Sequence, residues 1–271
     1  MRRAWVINLD AELELAHGPG FNPGAALTRQ LRAHAAPVAA TLAEGDVWVD
    51  DGGDPRGLLG CAWCPTPRAL ARLREVGARA PDAPAVEVLR RVNARGFAHA
   101  IRALEGERVI RDTSDAARHL TGGRWVLHRA FTFTGRGHRA LDGPPGPADL
   151  AWIDKGLAIG PVFAAPRLAI SLELALHGHL GADGSLERGV VTVQHTEHGQ
   201  WRRSERATDA LSEEERRALF DVFEEVADAL RGAGYFGPFG IDALRHAGGF
   251  HPLSEINARY SMGYPVGMGG W

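Results

Sequence analysis

GPFGIDALRHAGGFHPLSEINAR, residues 237–259, is the stretch whose reading organises the rest of the chain. Two apolar runs, FGIDAL and FHPLSEI, flank Gly248-Gly249, and paired glycines between strand-like runs predict a tight hairpin. With those glycines as the loop, pairing outward sets Asp242 opposite Glu255, and strand alternation puts Asn257 on the same face as Glu255. Two carboxylates and an amide then share one sheet face. Two readings of that face stand side by side. Acids facing each other across a solvated hairpin repel mildly. A divalent cation removes the repulsion, and hard oxygen donors suit magnesium while leaving positions for phosphate oxygens.

With 271 residues, 45% of them hydrophobic and 24% charged, the chain can bury a large core or form two or three lobes. Its formal net charge of -2 excludes the basic excess that non-specific nucleic-acid binding requires. No apolar run approaches the length of a membrane span. A cytoplasmic protein with no nucleic-acid or membrane partner is expected. Lys155 is the single lysine, so arginine carries nearly all the positive charge. Cys61 and Cys64 form one C-x-x-C with no second pair for zinc, and they read as reduced packing residues. His177, His179, His195 and His198 lack a Cys or H-E-x-x-H frame and support a zinc site poorly.

The N-terminal part opens as an α/β unit, with strands at Ala4–Leu9 and Asp46–Asp50 around a helix over 25–43. Thr66-Pro67 begins a further helix. Residues 85–104 carry one helical apolar face, and Ser114 or Asp115 is expected to cap the helix after a short strand at 108–111. A full dinucleotide fingerprint is absent. Arg124–Phe133 is a strand that enters Thr134-Gly135-Arg136-Gly137-His138. Backbone N–H groups of such a loop can approach phosphate oxygens, with Arg129 and Arg136 adding positive charge, although a surface turn fits the same residues. A Pro/Gly loop at 142–147 precedes strands within 161–180 and 189–194. Ser212 and Glu215 form a capping box for a helix that stops at Gly232 and buries Leu219, Val222, Phe223, Val226 and Leu230.

Taken in order, these pieces resemble the ATP-grasp superfamily of ATP-dependent carboxylate ligases, over roughly residues 85–260. The best match is G-I-D, a short hairpin and E-I-N-A-R; VLHRAFTFTGRGHR is similar to the family's phosphate-covering strand and glycine loop. The resemblance implies that Asp242, Glu255 and Asn257 hold magnesium, or manganese, at the ATP phosphates. It implies that Arg129 and the loop of Gly135, Arg136 and Gly137 hold the transferring group, with Arg259 anchoring an acyl phosphate or substrate carboxylate. His128 and Arg95 stand where nucleotide-contacting lysines are usual, Glu173 stands at a later acidic position near ribose or metal, and Ala165 replaces a hinge glutamate.

The implied fold is α+β with an α/β N-terminal lobe. Residues 1–96 form a shortened lobe, 97–160 the lid and 161–271 the metal-bearing subdomain, with the nucleotide between the two α+β subdomains. The implied activity is ATP- and magnesium-dependent ligation of a small-molecule or peptide carboxylate to an amine or thiol, in a chain that can form homo-oligomers. The departures at His128 and Ala165 leave a nucleotide- or partner-binding protein without ligation as the alternative.

Overall fold

The first apolar run forms a short strand, β1 (Arg3–Val6), followed by helices α1 (Ala11–His17) and α2 (Ala25–Ala39). The computed structural model describes residues 2–133, 136–197, 200–207 and 209–271, apart from the side chains of Phe133, Arg136 and Gln200. Strands β2 (Val47–Trp48) and β3 (Leu59–Ala62) flank β1 and run parallel to it, and α3 (Pro67–Glu75) follows with Thr66 as its cap. The strand expected at 46–50 is cut short because the chain turns into a 3-10 segment at Val49–Asp51. Cys61 and Cys64 are free, and burial pushes both thiols up, Cys61 to about 11, so neither forms a reactive thiolate at neutral pH.

The single helical face at 85–104 is divided into α4 (Val86–Val92) and α5 (Arg95–Ile101). Asn93 makes the division. Its Nδ2 donates to Leu89 O at 2.9 Å and Ala258 O at 3.3 Å, while its Oδ1 accepts from Ala258 N at 3.0 Å. An Asn that bonds backbone in this way ends a helix rather than extending it. There follow β4 (Arg108–Ile110), α6 (Thr113–His119), β5 (Arg124–Phe133), β6 (Arg136–Asp142), α7 (Pro147–Leu157) and β7 (Val162–Pro166). The α6 cap is Asp112 rather than Ser114 or Asp115, since its Oδ1 accepts from Asp115 N at 2.7 Å. The four strands form an antiparallel sheet in the order β4-β7-β5-β6. Ile110, Leu127, Ile153 and Val162 belong to the core it shares with α6 and α7.

The last third builds the sheet that carries the hairpin. Strands β8 (Ile170–Leu180), β9 (Leu186–Glu197) and β10 (Gln200–Arg206) are followed by α8 (Glu213–Gly232), then β11 (Gly237–His246), β12 (Gly249–Asn257) and the short α9 (Tyr264–Met268). The antiparallel order is β10-β9-β8-β11-β12. One face, with Leu174, Leu176, Ile241, Ala243 and Ile256, packs on the predicted stripe of α8. The capping box forms as expected: Ser212 Oγ accepts from Glu215 N at 3.2 Å and Glu215 accepts from Ser212 N at 2.9 Å. Glu215 also pairs with Arg245 of β11, which ties the helix start to the hairpin.

The hairpin pairs Asp242 with Glu255 as expected, but by a different route. Its two-residue turn is Ala247-Gly248, with His246 facing Gly249, rather than Gly248-Gly249. Gly249 has φ 135, a conformation that side chains rarely adopt. From that turn a uniform register would set Asp242 against Leu253. A bulge intervenes: Leu244 faces His251, so Pro252, Leu253 and Ser254 stand against Ala243 alone. Pro252, which has no N–H, sits where the ladder is already interrupted. Ser254 Oγ donates to Asp242 O at 3.1 Å. The bulge shifts the register by an even number, so the face of each side chain is preserved.

Candidate active site

The face of the hairpin sheet turned away from α8 and the adjoining face of the β4-β7-β5-β6 sheet line a cleft of about 1040 Å³. Asp242, Glu255 and Asn257 lie together on its hairpin side, as does Glu173, which accepts a hydrogen bond from Thr196 Oγ1. Asp242 is held by two amides: Gln194 Nε2 donates to Oδ1 at 2.6 Å and Asn257 Nδ2 to Oδ2 at 3.0 Å. Thr132 Oγ1 of β5 donates to Glu255 Oε1 at 3.3 Å, joining the two sheets across the cleft. Burial, reinforced by the charge of Glu255, pushes the Asp242 carboxyl up to about 7, against the pull of Gln194, Arg259 and Asn257. Two acids facing each other in a half-buried place make it costly to charge both, a cost that a proton or a cation relieves.

The donor set fits a hard divalent ion, with oxygen from two carboxylates completed by an amide. It is not a nitrogen or sulfur site. Among the described residues no three His, Cys, Asp or Glu side chains group so as to hold a metal, and the histidines weighed for zinc are dispersed. His177 contacts Ser261, His195 pairs with Glu205, and His198 lies outside the described residues.

The opposite wall is basic. His128 of β5 faces His138 of β6, their rings 4.6 Å apart. Arg95, the first residue of α5, pairs with the buried Glu107, which also binds His99 Nδ1 at 2.8 Å. His128 Nδ1 and Arg95 Nε are buried and find no hydrogen-bond partner among the described residues. Burial first, then the charges of Arg95 and His138, hold the His128 imidazole well below its ordinary range, so it is neutral at pH 7. Ala165, on β7, also lines this wall and pairs in register with Val126.

Two expected residues are placed differently. Arg129 does not reach the cleft. Alternation along β5 turns it away from the His128 face, and its guanidinium lies 4.5 Å from the Trp152 ring of α7 while donating to Trp152 O at 3.2 Å. Arg259 lines the cleft, but it lies beyond the end of β12 and is ion-paired with the buried Glu12 of α1. Gly137 has φ 91. Gly135 and the side chain of Arg136 lie outside the described residues. Gln194, Thr132, Glu12 and Glu107 complete the site, although no motif in the sequence marks these residues individually. Each is placed by a contact with a residue distant in the sequence or by its packing, which local spacing does not signal.

Solved structures share this arrangement of sheets. The chain is similar to N5-carboxyaminoimidazole ribonucleotide synthetase, purK, in its ADP complex, with TM-score 0.56 and 14% identity over 96% of this chain and 71% of that one. It is similar to the synthetase of the same name from Thermus thermophilus, with TM-score 0.55 and 14% identity over 96% and 72%. It is also similar to biotin carboxylase from Campylobacter jejuni, with TM-score 0.61 and 14% identity over 97% and 61%. The fold is ATP-grasp. No protein-family model matches the sequence, and no curated protein does. In this chain the α+β class follows from the antiparallel sheets of the last two thirds, and the parallel β2-β1-β3 sheet is the α/β N-terminal part. No described helix is long and apolar enough to cross a membrane.

Proposed function

We propose that the chain is an ATP- and magnesium-dependent ligase that activates a carboxylate as an acyl phosphate for attack by an amine or thiol. The observation that carries this reading is the acid face of Asp242, Glu255 and Asn257 set across one cleft from Arg95 and His128. Segment 97–160 acts as the lid and 161–271 carries the metal. Asp242, Glu255 and Asn257 hold the magnesium, or manganese, whose chemistry is to neutralise phosphate charge. Arg95 and His128 orient the polyphosphate from the other wall, and Thr132 holds Glu255 toward the cleft. A substrate carboxylate oxygen attacks the γ-phosphorus, ADP leaves, and the amine or thiol then displaces phosphate at the acyl carbon. Arg259, kept in place by Glu12, faces the carboxylate end.

The test is magnesium-dependent ATP turnover with Asp242→Ala and Glu255→Ala. Loss in both supports the reading, and unchanged turnover removes it. A second reading, nucleotide binding without ligation, is favoured by the neutral His128 at a position where the family usually places lysine. Thermal unfolding with and without MgATP separates the two, since a ligand bound to the native state raises the midpoint. A raised midpoint with no turnover on any carboxylate and amine supports the second.

A further inference from the structure

Two buried nitrogens on the basic wall distinguish it from an ordinary lysine-lined phosphate site. His128 Nδ1 and Arg95 Nε have no hydrogen-bond partner among the described residues, and both side chains line the cleft. Such groups are costly to bury unpaired. Around the His128 ring stand Arg95 from α5, His138 from β6 and, opposite in register on β7, Phe163. Glu107 pairs with Arg95, His99 binds Glu107 and lies against the Phe163 ring, and Glu255 acts on His138 rather than on His128. Each charge that acts directly on His128 is positive or becomes positive on protonation. The protein alone therefore keeps this imidazole neutral.

We propose that a nucleotide phosphate binds beside His128 together with a proton, the imidazole being neutral in the free protein and imidazolium in the complex. The inference rests on the nucleotide reading given above. A lysine carries its charge before the ligand arrives. His128 acquires its charge on arrival, because a phosphate oxygen beside the ring adds the negative charge that its protein neighbours do not supply. The proton comes from solvent and stays on the ring, shared in a hydrogen bond to the phosphate. No covalent bond is made or broken. Affinity is then linked to pH, and raising the pH removes the cation that the site needs.

Calorimetric titration of the full chain with MgADP tests this at one pH in two buffers of different ionisation enthalpy. At pH 7 the wild-type enthalpy is expected to depend on the buffer, with proton uptake exceeding that of H128K by up to one, and affinity is expected to fall by up to about tenfold per pH unit toward pH 9. H128K, with a permanent cation, should bind with the uptake removed and with that pH dependence lost. H128Q should bind more weakly, again without uptake, and serves as the comparison if H128K is misfolded by thermal unfolding. Any proton exchange belonging to MgADP itself, or to Asp242 as the cation binds, persists in both variants and is subtracted. Wild-type binding with the same buffer dependence as the variants overturns the proton coupling and leaves the nucleotide reading standing. No binding of MgADP or MgATP to the wild type overturns both.

Discussion

The two walls of the cleft are built on opposite plans. On the hairpin wall every acid has partners: Gln194 and Asn257 hold Asp242, and Thr132 holds Glu255. On the facing wall the basic groups are under-satisfied, with His128 Nδ1 and Arg95 Nε unpartnered among the described residues. The difference teaches where the charge of the site resides. The acid wall is preorganised by neighbours that fix its oxygens before any cation is considered. The basic wall keeps buried nitrogens without partners on residues that line the cleft.

The largest expected effect breaks the support under the acid wall. Phe223 is fully buried and stacks on Phe239 of β11 with centroids 4.9 Å apart. Phe223→Ala should cost about 3–5 kcal/mol in urea unfolding, and with it the hairpin geometry. Next, Asp242→Asn keeps the shape of the acid wall and removes one charge. Magnesium-dependent turnover should fall by about 10²–10³-fold, with the unfolding midpoint held or raised, because a buried repulsion with Glu255 is relieved.

A third test concerns the sheet that carries the acid wall. His177 of β8 is buried with Nε2 2.8 Å from Ser261 Oγ, and burial lowers its pKa to about 4. The folded state therefore excludes a proton that the unfolded state accepts below its ordinary value near 6.5. The His177 contribution to stability is fully present above that value and is lost as pH falls toward 4. At pH 5 the loss should be about 2 kcal/mol relative to pH 7.5, and it should be absent from His177→Gln.

Smaller effects sharpen the contrast between arginines that line the cleft and those turned away from it. Arg95→Gln should weaken MgADP by about tenfold, as expected for a charged hydrogen bond. Arg129→Gln, on the Trp152 side of β5, should change it by less than about twofold; calorimetry reads both. Asn93→Ala removes the link from the α4–α5 junction to Ala258 and should cost about 1 kcal/mol in stability.

Legibility in the sequence followed the range of the interactions. The hairpin, its acid pair and the α8 stripe were readable because each depends on spacing within a few residues of chain. The turn was misplaced by one residue and the bulge was missed. The two errors offset each other, so the Asp242–Glu255 pair survived. Residues 85–104 read as one helix because the apolar period continues across Asn93. The break depends on Ala258, which lies far along the chain. The role expected of Arg129 failed on parity. Adjacent strand residues point to opposite faces, and His128 holds the cleft side.

By itself the sequence determined the acid hairpin, the capped helix beneath it and the mixed α and β character, because local periodicity, turn chemistry and caps act between near neighbours. Only the tertiary structure decided that Arg259 is held by Glu12, that Gln194 and Thr132 steady the acids, and that Arg95 and His128 face them across the cleft. Those outcomes depend on burial and on contacts between distant segments. Burial sets whether a histidine is charged and whether an arginine is free, and no spacing along one chain encodes it.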